Sequence, residues 1–139
     1  MKPYLFQVKY GKGLGPPDPL KPQDPISELE VPMDRIIAVI TTVDSHEAVE
    51  RISRTLLEER LIACAQVIGP ITSAYWWKDR VEQAQEWLAL MKTRETLYEA
   101  VERRVREMHP YELPEIVGFG LERGLPGYLQ WVRDETIVP

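Results

Sequence analysis

Asparagine is absent from the 139-residue chain, and cysteine appears once, as Cys64. A single cysteine excludes an internal disulfide and fits a reducing, cytoplasmic compartment. Asparagine is one of the thermolabile residues that heat-adapted proteins use sparingly, so its absence points toward a thermophile as the source. Histidine occurs only at His46 and His109. No Cys-x-x-Cys or His-Glu-x-x-His spacing is present, so a closed tetrahedral zinc site within one chain is not expected. No apolar run reaches the roughly 18 to 20 residues that span a bilayer, and the start of the chain has no apolar segment of the secretory type, so no membrane partner is expected. Basic residues are in deficit, 17 against 22 acidic ones, for a net charge of −5. That balance argues against nucleic acid, which is usually met by a basic face. Ser45, Ser53 and Ser73 have no histidine at a recognisable spacing and no nucleophile-elbow motif around them, so an enzyme is not expected.

What is present is a chain of ordinary single-domain size with globular proportions of 44% hydrophobic and 28% charged residues. Residues 1–33 differ from the remainder: they hold seven of the twelve prolines, four of the six lysines and no arginine. Tyr4 to Tyr10 is a candidate short strand. The Gly11-x-Gly13-x-Gly15 spacing has the look of a phosphate loop, but Pro16, Pro17 and Pro19 prevent the helix such a loop needs. This segment therefore reads as a Pro-rich arm, with the folded domain spanning residues 34–139.

The domain is organised around Leu61 to Thr93. Two long extended runs meet at the polar break Lys78-Asp79, the sequence form of a β-hairpin. Ala63 to Trp77 alone extends for about 50 Å, whereas a domain of this size has a radius of gyration of about 13 Å. The hairpin should therefore overhang its domain, with Tyr75, Trp76 and Trp77 near the tip and a bend at Gly69-Pro70, since proline donates nothing to the ladder. The return arm Trp87-Leu88-Ala89-Leu90-Met91 is apolar on both faces and requires cover on both. One chain does not supply that cover along the whole length, so a copy of itself is the expected partner.

Around the hairpin, Arg35 to Thr42 is a β-branched run that reads as a buried strand. Asp44 or Ser45 then caps a helix, with Glu47 placed for a capping box with Asp44 and a stripe of Val49, Ile52, Leu56 and Leu57. Thr93 is a candidate cap for a second helix with the stripe Leu97, Val101, Val105 and Met108. Glu99 with Arg103 and Glu102 with Arg106 are spaced for ion pairs along that helix. Ile116 to Phe119 reads as a last core strand, and Tyr128 to Val132 as a short closing element. The order β-α-β-β-α-β predicts an α+β fold of the ferredoxin-like type, an antiparallel sheet with two helices on one face.

Leu61-x-Ala63-Cys64, Ser73-x-Tyr75-x-Trp77, Leu90-x-Lys92-Thr93, His109-Pro110-Tyr111-Glu112-x-Pro114-Glu115-Ile116 and Tyr128-Leu129-x-Trp131 together resemble the CutA family of divalent-cation tolerance proteins over about residues 36–133. The resemblance implies a ferredoxin-like subunit in a tight homotrimer whose long hairpins pair between subunits. It also implies a link to copper and other divalent cations, with no secure catalytic reaction. Two positions depart from the family pattern: Asp79-Arg80 stands where Gly-Lys is usual, and Gln66 where asparagine is common. Residues 1–33 match nothing in the family.

Several residues carry two readings each. His109 and Glu112 flank Pro110-Tyr111 and can offer nitrogen and oxygen donors to Cu²⁺ or another divalent cation; alternatively His109 is a helix C-terminal histidine favoured by the dipole, beside a surface glutamate. Cys64 is either a soft ligand for copper or a small buried hydrophobe. Lys92, at the end of an apolar strand, either snorkels or forms the cationic wall of an anion pocket. Tyr75, Trp77, Tyr111, Tyr128 and Trp131 read as interface or cleft anchors. Lys92, His109, Tyr111 and Glu115 are expected to gather near a subunit boundary, where a cleft can take an anionic small molecule. His46 reads as a solvated surface residue. The shift in composition at Met33 yields a first prediction: deleting residues 1–32 should change the melting temperature by no more than a few degrees and leave the assembly intact. A large fall in melting temperature would show that the arm packs as part of the core.

Overall fold

The computed structural model describes residues 34–138. The Pro-rich arm and the short strand expected within it lie outside the described residues. The elements in order are β1 (Ile36–Val43), α1 (His46–Glu58), β2 (Cys64–Trp77), β3 (Arg80–Arg94), a 3₁₀ turn (Glu95–Leu97), α2 (Tyr98–Met108), β4 (Ile116–Gly120) and α3 (Pro126–Glu135). The strands form one antiparallel sheet in the order β2-β3-β1-β4. This is the ferredoxin-like arrangement expected from the order of elements.

β1 is the centre. Ile37, Val39 and Val43 project to one face and meet Ala89 and Met91 of β3, Val49, Ile52 and Leu56 of α1, and Val101 and Val105 of α2, all buried. The stripes of both helices are therefore largely the ones their spacing predicts, but Leu57, expected in the α1 stripe, is exposed, and Met108 of the α2 stripe is only partly buried. Ser45, rather than Asp44, caps α1 by accepting from the Ala48 amide at 3.1 Å. Thr93 does not cap α2: β3 runs on to Arg94, and the hydroxyl of Thr93 donates to the Leu61 carbonyl at 2.6 Å instead. The ion pairs also differ from those expected along α2. Arg104 pairs with Glu59, just past the end of α1, at 3.0 Å and with Glu107 at 3.1 Å, so its charge joins two helices.

The segment around Tyr128 is a ten-residue helix, longer than the closing element its sequence suggested, opening on Pro126 in the first turn. Proline is suited to that position, where its missing N–H is no loss. α3 packs against β3 and β1 from the side away from α1 and α2: Cys64, Lys92 and Arg94 meet it, and Arg94 Nε donates to Thr136 at 2.9 Å. The end of α3 is tied back to the end of α1, where the Ile137 amide donates to the Arg60 carbonyl and Arg60 pairs with Glu135 at 2.8 Å.

The hairpin follows the predicted register. Trp77 faces Arg80 and Trp76 faces Val81, and Lys78 and Asp79 form the turn with φ of 49° and 64°. Positive φ at both central residues is what a two-residue hairpin turn requires. The ladder shifts between Ile68 and Ile71, so the break falls on Gly69-Pro70 as expected. Gly69 lies against Trp87: a Cβ there would stand 2.5 Å from Trp87 Cδ1 and 3.1 Å from its Cα. The ring can swing, but the backbone cannot retreat without disturbing the ladder. Gly69→Ala should therefore cost about 1–3 kcal/mol by overpacking, read as a lower denaturation midpoint in urea. An unchanged midpoint would show that the bulge has slack.

Candidate ligand cleft at the root of the hairpin

The turn that follows α2 is built on His109. Its ring is buried, and its Nδ1 accepts from the Tyr111 amide at 3.1 Å. Nε2 must then carry the proton, which it donates to the Thr42 carbonyl at 2.8 Å. Both nitrogens are in use within the chain, which leaves no lone pair for a metal. The ring also meets Tyr111 edge-on, with centroids 4.8 Å apart. His109 thus fixes the Pro110-Tyr111 turn to the end of β1.

That turn forms one wall of a cleft of about 760 Å³. Tyr111 reaches across and donates from its hydroxyl to Glu86 Oε2 at 2.8 Å. Thr42 donates from its hydroxyl to Glu115 at 3.2 Å, so one threonine anchors His109 through its carbonyl and Glu115 through its side chain. The hairpin supplies the opposite wall, with Ser73, Tyr75 and Trp77 lining the cleft, and Glu112 standing at the exposed rim. Glu86 itself is only 5% exposed. Burial, reinforced by the hydrogen bond to Glu86, holds the Tyr111 phenol well above the usual tyrosine range.

A second group forms near the other end of β1 and does not join the first. Lys92 is paired in register with Ala38, whereas Thr42 is paired with Leu88. Four residues of strand separate these rows by about 13 Å. Lys92 Nζ donates to Gln66 at 2.7 Å and lies 6.0 Å from the Tyr128 ring centroid. Cys64 Sγ and the Tyr128 hydroxyl are 3.4 Å apart, and Trp131 stacks obliquely on Tyr128 at 5.6 Å. Burial, with the Cys64 thiol as a further cause, pushes the Tyr128 phenol up to about 12.

The expectations for the site are corrected in two respects. Within one chain Lys92 does not gather with His109, Tyr111 and Glu115, because it sits several residues away along β3. His109, Glu112 and Cys64 do not form one metal site within a chain, because Cys64 belongs to the far group and His109 is fully bonded. Among the described residues no cluster of three histidine, cysteine or acidic side chains is arranged to hold a metal ion. Tyr75, Trp77, Tyr111 and Glu115 do meet at the cleft. Glu86 and Thr42 were missed by sequence reasoning. The available signal was Glu86 itself, a carboxylate at the threshold of the apolar run Trp87 to Met91.

The fold agrees with what comparison with known proteins finds. The CutA1 divalent ion tolerance protein family matches residues 37–135. The chain belongs to that family. Over 101 residues it is 40% identical to the divalent-cation tolerance protein CutA of Pyrococcus horikoshii, a match covering 73% of this chain and 98% of that protein. It is 38% identical over 101 residues to protein CutA of Mus musculus, of which it spans 57%, again with 73% of this chain. In three dimensions it resembles the periplasmic divalent cation tolerance protein CutA from Archaeoglobus fulgidus with a TM-score of 0.70 and 36% identity, over 72% of this chain and 97% of the other.

The two raised phenols set a pH dependence. Both fold with pKa values above the 10.0 of a free tyrosine, so the folded protein keeps protons that the unfolded chain gives up. The stability tied to these shifts is complete below about pH 10 and is lost as the pH climbs toward the folded values. Between about pH 9.5 and 11.5 the urea midpoint should fall more steeply in the native sequence than in a Tyr111→Phe, Tyr128→Phe double variant. Parallel curves would mean that neither phenol is held as the geometry indicates.

Proposed function

We propose that this chain works as a non-catalytic, cytoplasmic homotrimer in divalent metal tolerance. The observation that carries the assembly is the sheet face opposite α1 and α2. By register, Ile68, Leu88, Leu90, Ile40, Val117 and Phe119 share that face across all four strands. Ile68, Val117 and Phe119 are each nearly half exposed. A patch of this kind marks an interaction surface, and the open edges of β2 and β4 flank it. Three copies rather than two follows the resemblance stated for the sequence. The metal role follows the family, and the cytoplasmic address rests on the lone thiol of Cys64; the Archaeoglobus relative is called periplasmic, so the family does not fix the compartment. No helix among the described residues is long and apolar enough to cross a membrane. Neither a membrane nor a nucleic-acid partner belongs to this reading.

Copper or another divalent cation, in this reading, is held by donors from neighbouring copies, with Glu112 the exposed member of the expected ligands. Light scattering should give three times the 16.1 kDa chain mass. Calorimetric titration with Cu²⁺ should give a heat that survives in His109→Ala, while that variant loses about 1–3 kcal/mol of stability from the unpaired Thr42 carbonyl. A monomer mass would sink the assembly, and loss of Cu²⁺ binding in a folded His109→Ala would restore histidine as a ligand.

A second reading is favoured by the cleft: the trimer carries or senses a small molecule there. Its volume of about 760 Å³ falls within the range of small-molecule sites, about 300–1,000 Å³. Four aromatic residues, Tyr75, Trp76, Trp77 and Tyr111, and a few convergent polar groups line it, the usual composition of such a site.

A further inference from the structure

Glu86 poses a charge problem that the described residues leave unsolved. Its side chain is nineteen parts in twenty buried. Tyr111 donates one hydrogen bond to Oε2, and among the described residues Oε1 has no partner and no lysine, arginine or histidine pairs with the carboxylate. An ionised carboxylate accepts about four hydrogen bonds, and buried it needs a cation or a full set of donors. One phenol is neither. Glu86 lines the cleft, and among the described residues the only other charged groups lining it are also carboxylates, Glu112 and Glu115. The field inside the cleft is therefore negative, and the rings of Tyr75, Trp77 and Tyr111 add electron-rich faces to it.

We propose that the cleft receives a small organic ammonium ion, a primary or quaternary amine of several carbons, with its charged head on Glu86 and its carbons against Tyr75 and Trp77. This rests on the small-molecule reading above and assigns the ligand its charge. Aromatic faces together with a carboxylate are the combination that recognises alkylammonium groups. A single metal ion fits less well, because the carboxylates are not clustered to share one and the space is far larger than an ion. An anion fits worse, because Lys92, the cation that sequence reasoning placed at this wall, lies about 13 Å away along the sheet.

The test uses the full-length protein in its own assembly. It is titrated with butane-1,4-diammonium, tetramethylammonium and, as the anionic control, butyrate, followed by tryptophan fluorescence and calorimetry. Saturable binding of an ammonium ion is expected, with no binding of butyrate. Affinity should drop at least tenfold in Glu86→Gln and in Tyr75→Ala, with circular dichroism and assembly mass unchanged. Should Glu86→Gln fail to fold, Tyr75→Ala decides alone, since Tyr75 is an exposed side chain; undiminished binding there overturns the proposal. Binding of butyrate without ammonium overturns the charge assignment and leaves the small-molecule reading standing. Binding of none of the three sinks both. Dissociation of the assembly in Glu86→Gln also overturns the proposal, since the missing cation would then be a side chain of a neighbouring copy.

Discussion

β1 lies between two antiparallel neighbours, and from Ile36 to Ile40 it offers water nothing polar on either side. The sheet built around it must therefore be covered twice. α1 and α2 cover one face and close the core over Val39, Val49, Ile52 and Val101. α3 covers only one end of the other face, over Cys64, Lys92 and Arg94. Each large aliphatic or aromatic side chain that remains is worth about 1.5–3 kcal/mol once buried, so the stretch from Ile68 to Phe119 is a standing demand for a partner surface. The same constraint sets the position of the cleft. β1 ends at Thr42 and Val43, and it is from Thr42 that His109 and Glu115 are hung.

Much of this was legible because periodicity reports burial. The stripes of α1 and α2, the β-branched run of β1 and the alternation across the hairpin each have one solution in which the apolar residues are covered. Proline at position 70 and the polar pair at 78 and 79 located the bulge and turn by what they cannot do or what they tolerate. α3 was hidden for the complementary reason. It is short and its aromatic residues, Tyr128 and Trp131, suit a strand as well as a helix; only Val132 is fully buried, so its stripe is thin. Thr93 failed as a cap because a β-branched residue at the end of a strand serves the strand equally well, and the chain extended it.

The site divided along the same line. Tyr75, Trp77, Tyr111 and Glu115 could be grouped because a hairpin and a helix-ending turn bring them to one place. Lys92 was misplaced because sequence gives the strand it occupies but not how far along that strand the neighbouring turn arrives. His109 shows a different limit. An imidazole near a carboxylate has the same spacing whether it waits for a metal or is already satisfied by a backbone amide and a carbonyl, and only the hydrogen-bond network separates the two. Glu86 shows the reverse: one letter in an apolar run becomes conspicuous once its burial is known.

The hairpin turn has a consequence for how the protein ages. Tight two-residue turns most often use Asn-Gly or Asp-Gly, because glycine accepts positive φ without strain. Here Lys78 and Asp79 take that conformation instead, at a cost of about 1–2 kcal/mol for each residue held in the left-handed region. The Lys78 ammonium, 5.7 Å from the Trp77 ring centroid, offsets part of it. Asn-Gly, however, is also the pairing at which a backbone amide most readily attacks the side chain and deamidates it. A chain with no asparagine anywhere, and with bulky Arg80 after its one turn aspartate, keeps the exposed tip of its hairpin out of that reaction. The tip gives up some conformational ease and gains chemical durability where hydrolytic wear would otherwise begin.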